Sequence, residues 1–246
     1  MELPIVGPFV YESRRVVVID KPPGWLSVPS RQGDEDERLC VGRVLQAQLG
    51  TRLWPVHRLD AEVSGLLMFA KDADAHRMLC AGFEHRQVRK TYLAWSTGPL
   101  PDGHKVRCTE RWVSLLLRGK KRAYVHRAGK EAVTMATPLW VDGKRALWQL
   151  CPKTGRPHQL RVELFLHGCP ILGDALYGST QPWRSGIALR AFELDLTDLE
   201  TRDELALPKK ISLLSDGQDY VSGGRAWMSA LASSSGRSIH SACPAP

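Results

Sequence analysis

Short apolar runs separated by polar turns are the clearest order along this chain. Residues 10–20 end in Val16, Val17, Val18 and Ile19, which predicts a strand pair or one bent strand with a buried β-branched run. Lys21-Pro22-Pro23-Gly24 closes it in a turn. Residues 31–38 are polar and acid-rich, a surface loop by composition. Leu39, Gly42, Leu45 and Leu49 have helical spacing. A second apolar strand is predicted over 64–71. Asp72 or Asp74 can then cap a helix to about Arg86, with Ala75, Met78, Leu79, Gly82 and Phe83 on one face. Further strands are predicted at 90–96, 134–139, 146–151 and 186–194, and a helix at 156–167 that Gly168 is placed to end. Many short strands with few helices between them indicate an α+β fold with mostly antiparallel pairing. No internal repeat is visible.

Composition agrees with a folded chain. At 246 residues, 43% hydrophobic and 24% charged, it excludes a disordered chain, a collagen-like fibre and a coiled coil. The length suits one or two domains. The longest apolar run, near 65–70, is far short of the roughly 20 residues that span a bilayer. The N-terminus, with Glu2 and early prolines, lacks a secretory pattern, so the expected compartment is the cytoplasm. The last 19 residues, 228–246, hold six Ser and are expected to be disordered.

Charge adds the first functional hint. The formal net charge is +8, with a pI near 9.3. A polyanion partner, nucleic acid first, would explain the excess; ordinary solubility charge is the alternative. The excess is concentrated at 103–130, which carry nine Lys or Arg, including Lys120, Lys121 and Arg122, against Glu110 alone. This stretch reads as peripheral, either an RNA-contacting insertion or a solvated hairpin. Cys40, Cys80, Cys108, Cys151, Cys169 and Cys243 are irregularly spaced without C-x-x-C, so reduced, buried thiols are expected. The eight histidines form no zinc pattern, and no metal is expected.

Three segments carry candidate chemistry. His57-Arg58-Leu59-Asp60-Ala61-Glu62-Val63-Ser64-Gly65 puts a histidine, an arginine and a carboxylate on a loop before a buried strand. A lone loop Asp is commonly a turn or cap residue. Lys153-Thr154-Gly155-Arg156-Pro157-His158-Gln159-Leu160-Arg161 is a turn feeding a helix start with two arginines, suited to an anion or simply to a solvated surface. Gly173-Asp174-Ala175-Leu176-Tyr177-Gly178 is a Gly-bracketed turn with an aromatic.

Together these segments resemble the pseudouridine synthases of the large-subunit-rRNA/tRNA type, the RluA-like group. The resemblance rests on HRLDAEVSGLLMFAK, on Lys21-Pro22-Pro23-Gly24, on Lys90-Thr91-Tyr92, on Thr154 to Arg161 and on Gly168 to Gly178, in the family's order. It covers about residues 10–195. Val63 stands where the family usually has Thr, and Cys169 where His is common. The resemblance implies a mixed, mostly antiparallel sheet with flanking helices and a central catalytic cleft, forming one catalytic domain over 1–227. With the first strand near residue 10, an additional S4 RNA-binding domain is not expected.

The implied reaction detaches uracil from C1′ of a uridine in rRNA or tRNA, rotates it and rejoins it through C5. No redox group or ATP is needed, so no cofactor is expected. The resemblance makes Asp60 the catalytic carboxylate and Arg161 the cation beside it, in a buried ion pair. It makes Tyr92 the aromatic under the uracil and a proton-transfer group. Arg58 would fill the space of a flipped base or contact phosphate. His57 would shape the loop at the RNA, and Leu160 would supply an apolar wall. Arg156 and His158 would contact RNA backbone or brace the loop. RNA is the implied partner, with a monomer as default. Two competing readings are a non-catalytic RNA-binding protein of the same fold and a hydrolase using Asp60 with His158, which would need a second acid.

Overall fold

The computed structural model describes residues 6, 9–30 and 36–213. The expected tail at 228–246, Cys243 and most of the 31–38 loop lie outside them. In chain order the elements are β1 (Phe9–Glu12), β2 (Val16–Lys21), α1 (Val41–Leu49), β3 (Trp54–Pro55), β4 (Ser64–Ala70), α2 (Ala73–Glu84), β5 (Arg89–Thr97), β6 (Glu110–Arg118), β7 (Ala123–Val125), β8 (Lys130–Val141), β9 (Arg145–Pro152), α3 (Gln159–Leu166), β10 (Leu189–Asp195) and β11 (Lys210–Ser212). The described residues divide into two compact units, those up to 90 with 190–213, and 91–189.

The first unit is built around β2 and β4. Val16 to Ile19 and all of Ser64–Ala70 are buried, as a strand covered on both faces must be. The two pair antiparallel from Val16–Ala70 to Lys21–Gly65. β1 extends the sheet beyond β2, β3 pairs with the end of β4, and β11 with β10. β10 runs parallel to β4, Arg190 beside Ser64 and Ala191 beside Gly65. Gly65 has φ +113, and a Cβ there would sit 2.2 Å from the Ala191 carbonyl oxygen. Only glycine permits that approach. Asp72 is the cap of α2, accepting from the Ala75 N–H at 2.7 Å. Arg15 binds it through two nitrogens, both at 2.9 Å.

The second unit is an antiparallel meander in the order β5-β9-β8-β6-β7. Leu116, Ala123, Val162 and Tyr177 form a buried cluster joining the β6–β7 hairpin to α3 and the 3-10 turn Ala175–Tyr177. Within the two units β4 with β10 is parallel, while β1–β2, β2–β4, β3–β4, β10–β11, β5–β9, β9–β8, β8–β6 and β6–β7 are antiparallel, so the expected mixed, mostly antiparallel α+β fold is what the chain adopts.

Three readings need correcting. The basic stretch 103–130 is not merely peripheral, because it contains β6, which pairs with β8 over seven positions, and β7. The helix expected from Arg156 begins at Gln159, because residues 154–158 are held in a turn by side-chain hydrogen bonds. The last long strand begins at Leu189 rather than 186, since Gly186 has φ +65, outside the extended range.

Candidate active site

In the first unit the loop before β4 carries His57, Arg58 and Asp60. Its backbone is pinned on both sides of Asp60. Ser27 Oγ donates to the Leu59 carbonyl at 2.8 Å and accepts the Leu59 N–H at 3.0 Å. The Ala61 carbonyl accepts from the Gly24 N–H at 2.7 Å and from Lys21 Nζ at 3.0 Å. A turn bond from the Val63 N–H to the Asp60 carbonyl, 3.1 Å, closes the loop onto the strand. Lys21 is 0% exposed, and Nζ also donates to the carbonyls of Pro22 and Trp25 at 2.9 and 2.8 Å. Its three donors thus meet three backbone acceptors. Burial lowers its pKa to about 8, against the opposing pull of Glu62, Asp60 and Asp20. The Lys-Pro-Pro-Gly segment therefore acts as a buried bracket for the Asp60 loop. Neither Lys21 nor Ser27 is singled out as a site residue by the sequence, because their partners are backbone atoms, which no side-chain pattern records.

Asp60 is half-buried and Arg58 exposed. His57 turns inward. Nε2 accepts from the Met68 N–H at 3.2 Å, and the ring stacks on Phe83 at 4.9 Å. Burial first, and Lys90 second, lower its pKa to about 3. A neutral imidazole that accepts a strand N–H is a brace for the loop. Arg190 ties the strands below it, donating to Asp20 at 2.5 Å and to Ser64 Oγ at 3.3 Å.

In the second unit β5 presents Tyr92, half-buried and opposite Leu150 of β9. The Thr-Gly-Arg-x-His-Gln segment forms the entry to α3. Thr154 Oγ1 accepts the Val133 N–H at 2.9 Å and donates to Gln159 Oε1 at 2.8 Å. Gln159 Nε2 reaches the Val133 carbonyl and Thr134 Oγ1 at 3.0 and 2.9 Å. Arg156 Nε donates to the Glu131 carbonyl at 2.8 Å. His158, with φ 53, is the left-handed residue at the cap. These contacts fix the first turn of α3 against β8, with Leu160 buried.

Arg161 follows in that turn. Its Nε and Nη2 grip Asp174 at 2.7 and 2.8 Å, with side chains 4% and 1% exposed. The Tyr177 ring lies 5.3 Å from the guanidinium. A bidentate pair in this setting fixes the plane of the arginine. The Gly-bracketed motif thus supplies both the carboxylate and the aromatic that hold Arg161, roles that its sequence alone did not disclose. Gly173, φ +83, makes room for the turn, since a Cβ would lie 2.7 Å from that of Trp183. Lys120, Lys121 and Arg122 are exposed on the β6–β7 turn, closed by a bond from the Gly119 N–H to the Arg122 carbonyl at 2.9 Å. Among the described residues no group of His, Cys, Asp and Glu is set to hold a metal ion, and no helix is long and apolar enough to cross a membrane.

The site residues thus lie in both units: His57, Arg58 and Asp60 in the first, Tyr92, Lys120, Lys121, Arg122, Arg156, His158, Leu160 and Arg161 in the second. Comparison with known proteins identifies the chemistry. A model of the RNA pseudouridylate synthase family matches residues 15–165. The tRNA pseudouridine synthase C of Yersinia pestis is 30% identical over 216 residues, 80% of this chain and 84% of that one. The protein of the same name from Pasteurella multocida is 34% identical over 180 residues, 69% and 73% of the two chains. Among solved structures, human RNA pseudouridylate synthase domain containing 4 covers 86% of this chain and 88% of its own, with TM-score 0.64 and 25% identity. Human RNA pseudouridylate synthase domain containing 1 shares the fold at TM-score 0.65 and 23% identity, over 85% and 82% of the chains. The chain belongs to the RNA pseudouridylate synthase family and is an isomerase that converts uridine in RNA to pseudouridine.

Proposed function

We propose that this enzyme acts on tRNA, with Asp60 as its catalytic carboxylate. The observation that carries the assignment of Asp60 is the bracket around it: the residue before it and the residue after it are both fixed by hydrogen bonds, while its own side chain is half-buried. Such a loop presents one carboxylate with little freedom, as a group that must meet C1′ requires. The tRNA reading is supported by relatives named tRNA pseudouridine synthase C that align over most of their length.

The roles divide as follows. Asp60 assists cleavage of the bond between C1′ and uracil, by attack on C1′ or by helping to form a glycal. The freed uracil turns, C5 bonds to C1′, the C5 proton is lost to a general base, a role given to Tyr92, and N1 takes up a proton, so the product is an isomer of the substrate. No electrons are gained or lost, so the residues need no redox partner. Arg161, held in one plane by Asp174, is the fixed cation assigned to the catalytic machinery. Exposed Arg58 fills the space of the flipped nucleotide or stacks on a neighbour. Leu160 offers an apolar wall to the base. Lys120, Lys121 and Arg122 take backbone phosphates, which makes binding fall steeply with salt. His57, Arg156 and His158 brace these groups. The two units serve one catalytic domain over 1–227, a reading supported by a family match that runs across their boundary. A cytoplasmic monomer is the proposed working form.

The test is carbodiimide mapping of pseudouridine in tRNA and rRNA from cells lacking the gene. One tRNA site is expected to vanish, returning with the wild-type gene and not with Asp60→Ala. A lost site in rRNA would overturn the tRNA reading, and restoration by Asp60→Ala would overturn the role of Asp60.

A further inference from the structure

We propose that Tyr177 and His158 form a positioning joint that couples the seating of RNA on the Gly119–Arg122 turn to the orientation of Arg161. The proposal rests on the reading that this turn receives RNA. The residues flanking the turn, Arg118 and Ala123, face each other across the hairpin. Both are tied to the same pair of side chains. Arg118 Nη1 lies 2.9 Å from His158 Nε2, and His158 Nδ1 lies 3.0 Å from Tyr177 Oη. Tyr177 Oη accepts the Ala123 N–H at 2.9 Å and donates to the Ala123 carbonyl at 3.1 Å.

The proton positions follow from chemistry. A guanidinium can only donate, so His158 Nε2 is the acceptor and Nδ1 carries the proton. Nδ1–H donates to Tyr177 Oη. That oxygen then accepts two hydrogen bonds and donates one, and all three groups are satisfied by one arrangement. Tyr177 is 3% exposed and Ala123 1%, so the two bonds between them are shielded from water and stiffer for it, while the Arg118–His158 link lies at the surface, where RNA can reach it.

The other end of the joint is Arg161. His158 is the cap of α3, and the Val162 N–H binds its carbonyl at 3.0 Å. The Tyr177 ring lies against the Arg161 guanidinium, and the Tyr177 N–H binds the carbonyl of Asp174, which grips Arg161, at 3.1 Å. A displacement of the turn therefore moves Tyr177 and His158 together, and with them the aromatic face and the helix start that orient Arg161. A tyrosine that only supported the hairpin would need neither the ring contact with Arg161 nor the bond to the cap.

Tyr177→Phe keeps the ring and removes the joint. With a melting temperature confirming the fold, single-turnover pseudouridylation of saturating tRNA is expected to slow about tenfold, the scale of one lost buried hydrogen-bond set, while the tRNA dissociation constant changes less than about threefold. Lys120→Ala/Lys121→Ala is expected to weaken binding and slow the saturated rate in the wild-type background, yet only to weaken binding in the Tyr177→Phe background. An unchanged saturated rate in Tyr177→Phe, or an equal rate loss from the turn variant in both backgrounds, overturns the joint. The NMR signal of Arg161 Nε–H reads the joint without turnover: Tyr177→Phe shifts it, and an unshifted signal overturns the proposal whatever the substrate proves to be. Wild-type enzyme that leaves tRNA unmodified overturns the tRNA reading instead.

Discussion

The loop of Asp60 and the helix start of Arg161 meet the same demand by different means. Each must hold one charged side chain steady. The Asp60 loop is held through its backbone: Lys21, Gly24 and Ser27 bind main-chain atoms of Leu59 and Ala61. Arg161 is held through its side chain, by Asp174 and the Tyr177 ring. Backbone bracketing tolerates changes in the loop's own side chains, which fits Val63 standing where the family usually has Thr. Side-chain clamping transmits any single substitution directly to the functional group.

Asp174→Ala is the sharpest test of that contrast. It leaves the Arg161 guanidinium buried without its bidentate partner, and a loss of about 3–5 kcal/mol in urea unfolding is expected together with loss of turnover. A variant that unfolds normally would remove the clamp from the comparison. Lys21→Met is the matching change in the other unit. It takes the donor from three carbonyls, and a stability loss of about 1–3 kcal/mol is expected. Turnover should fall more than tRNA affinity, because the loop loosens while the basic turn is untouched. Equal losses in both would place Lys21 in RNA binding rather than in bracing. Thr154→Val removes one hydroxyl from the α3 entry, and about 1 kcal/mol is expected by the same measurement.

The pH dependence separates two braces of the same first unit, His57 and Lys21. Folded His57 takes its proton near 3, whereas an exposed histidine takes it near 6.5. Between those values the unfolded chain binds the extra proton, so stability drawn from this burial falls as pH drops from about 6.5 towards 3. His57→Gln should flatten part of that slope. Lys21 works at the other end. Its folded pKa is about 8, below the 10.5 of an unperturbed lysine. Above about 8 the folded amine loses its proton first, so stability contributed by this group rises with pH up to about 10.5. The neutral amine has only two donors for three carbonyls, so turnover should fall over the range in which this stability term rises. Lys21→Met should abolish that opposition, which parallel urea and activity profiles would show.

How much was legible beforehand follows the locality of each signal. The β2 run, the all-buried β4 and the Asp72 cap are written in neighbouring residues, and the sequence pattern finds them. β6 was hidden because its fully buried positions, Trp112 and Leu116, lie four apart, while Val113 and Leu115 are exposed. Burial alternates along the strand, but residue type does not, because outward Val113 and Leu115 are apolar and inward Ser114 is polar, and the surrounding basic residues suggest a solvated surface. Within the site, the family motifs point to Asp60, Tyr92 and Arg161. The holding residues escaped notice for a physical reason. Lys21 binds a carbonyl 40 positions away, and Asp174 reaches Arg161 across 13. Neither a backbone acceptor nor a folded-back ion pair leaves a periodic trace.

The parallel pairing of β4 with β10 carries a consequence for the order in which the molecule is made. The second unit's described residues run without interruption from Thr91 to Leu189, whereas the first unit needs both 1–90 and 190–213. During synthesis the chain emerges N-terminus first, and a domain can close only when its last strand is available. Ser64 must wait for Arg190, and Gly65 for Ala191, a separation that also makes this contact slow to form by loop closure. The β-meander that carries Arg161 can mature while the ribosome is still at work. The carboxylate loop gains its complete sheet only near the end of translation, so a nascent or truncated chain lacking β10 exposes the β4 edge and cannot assemble a finished enzyme.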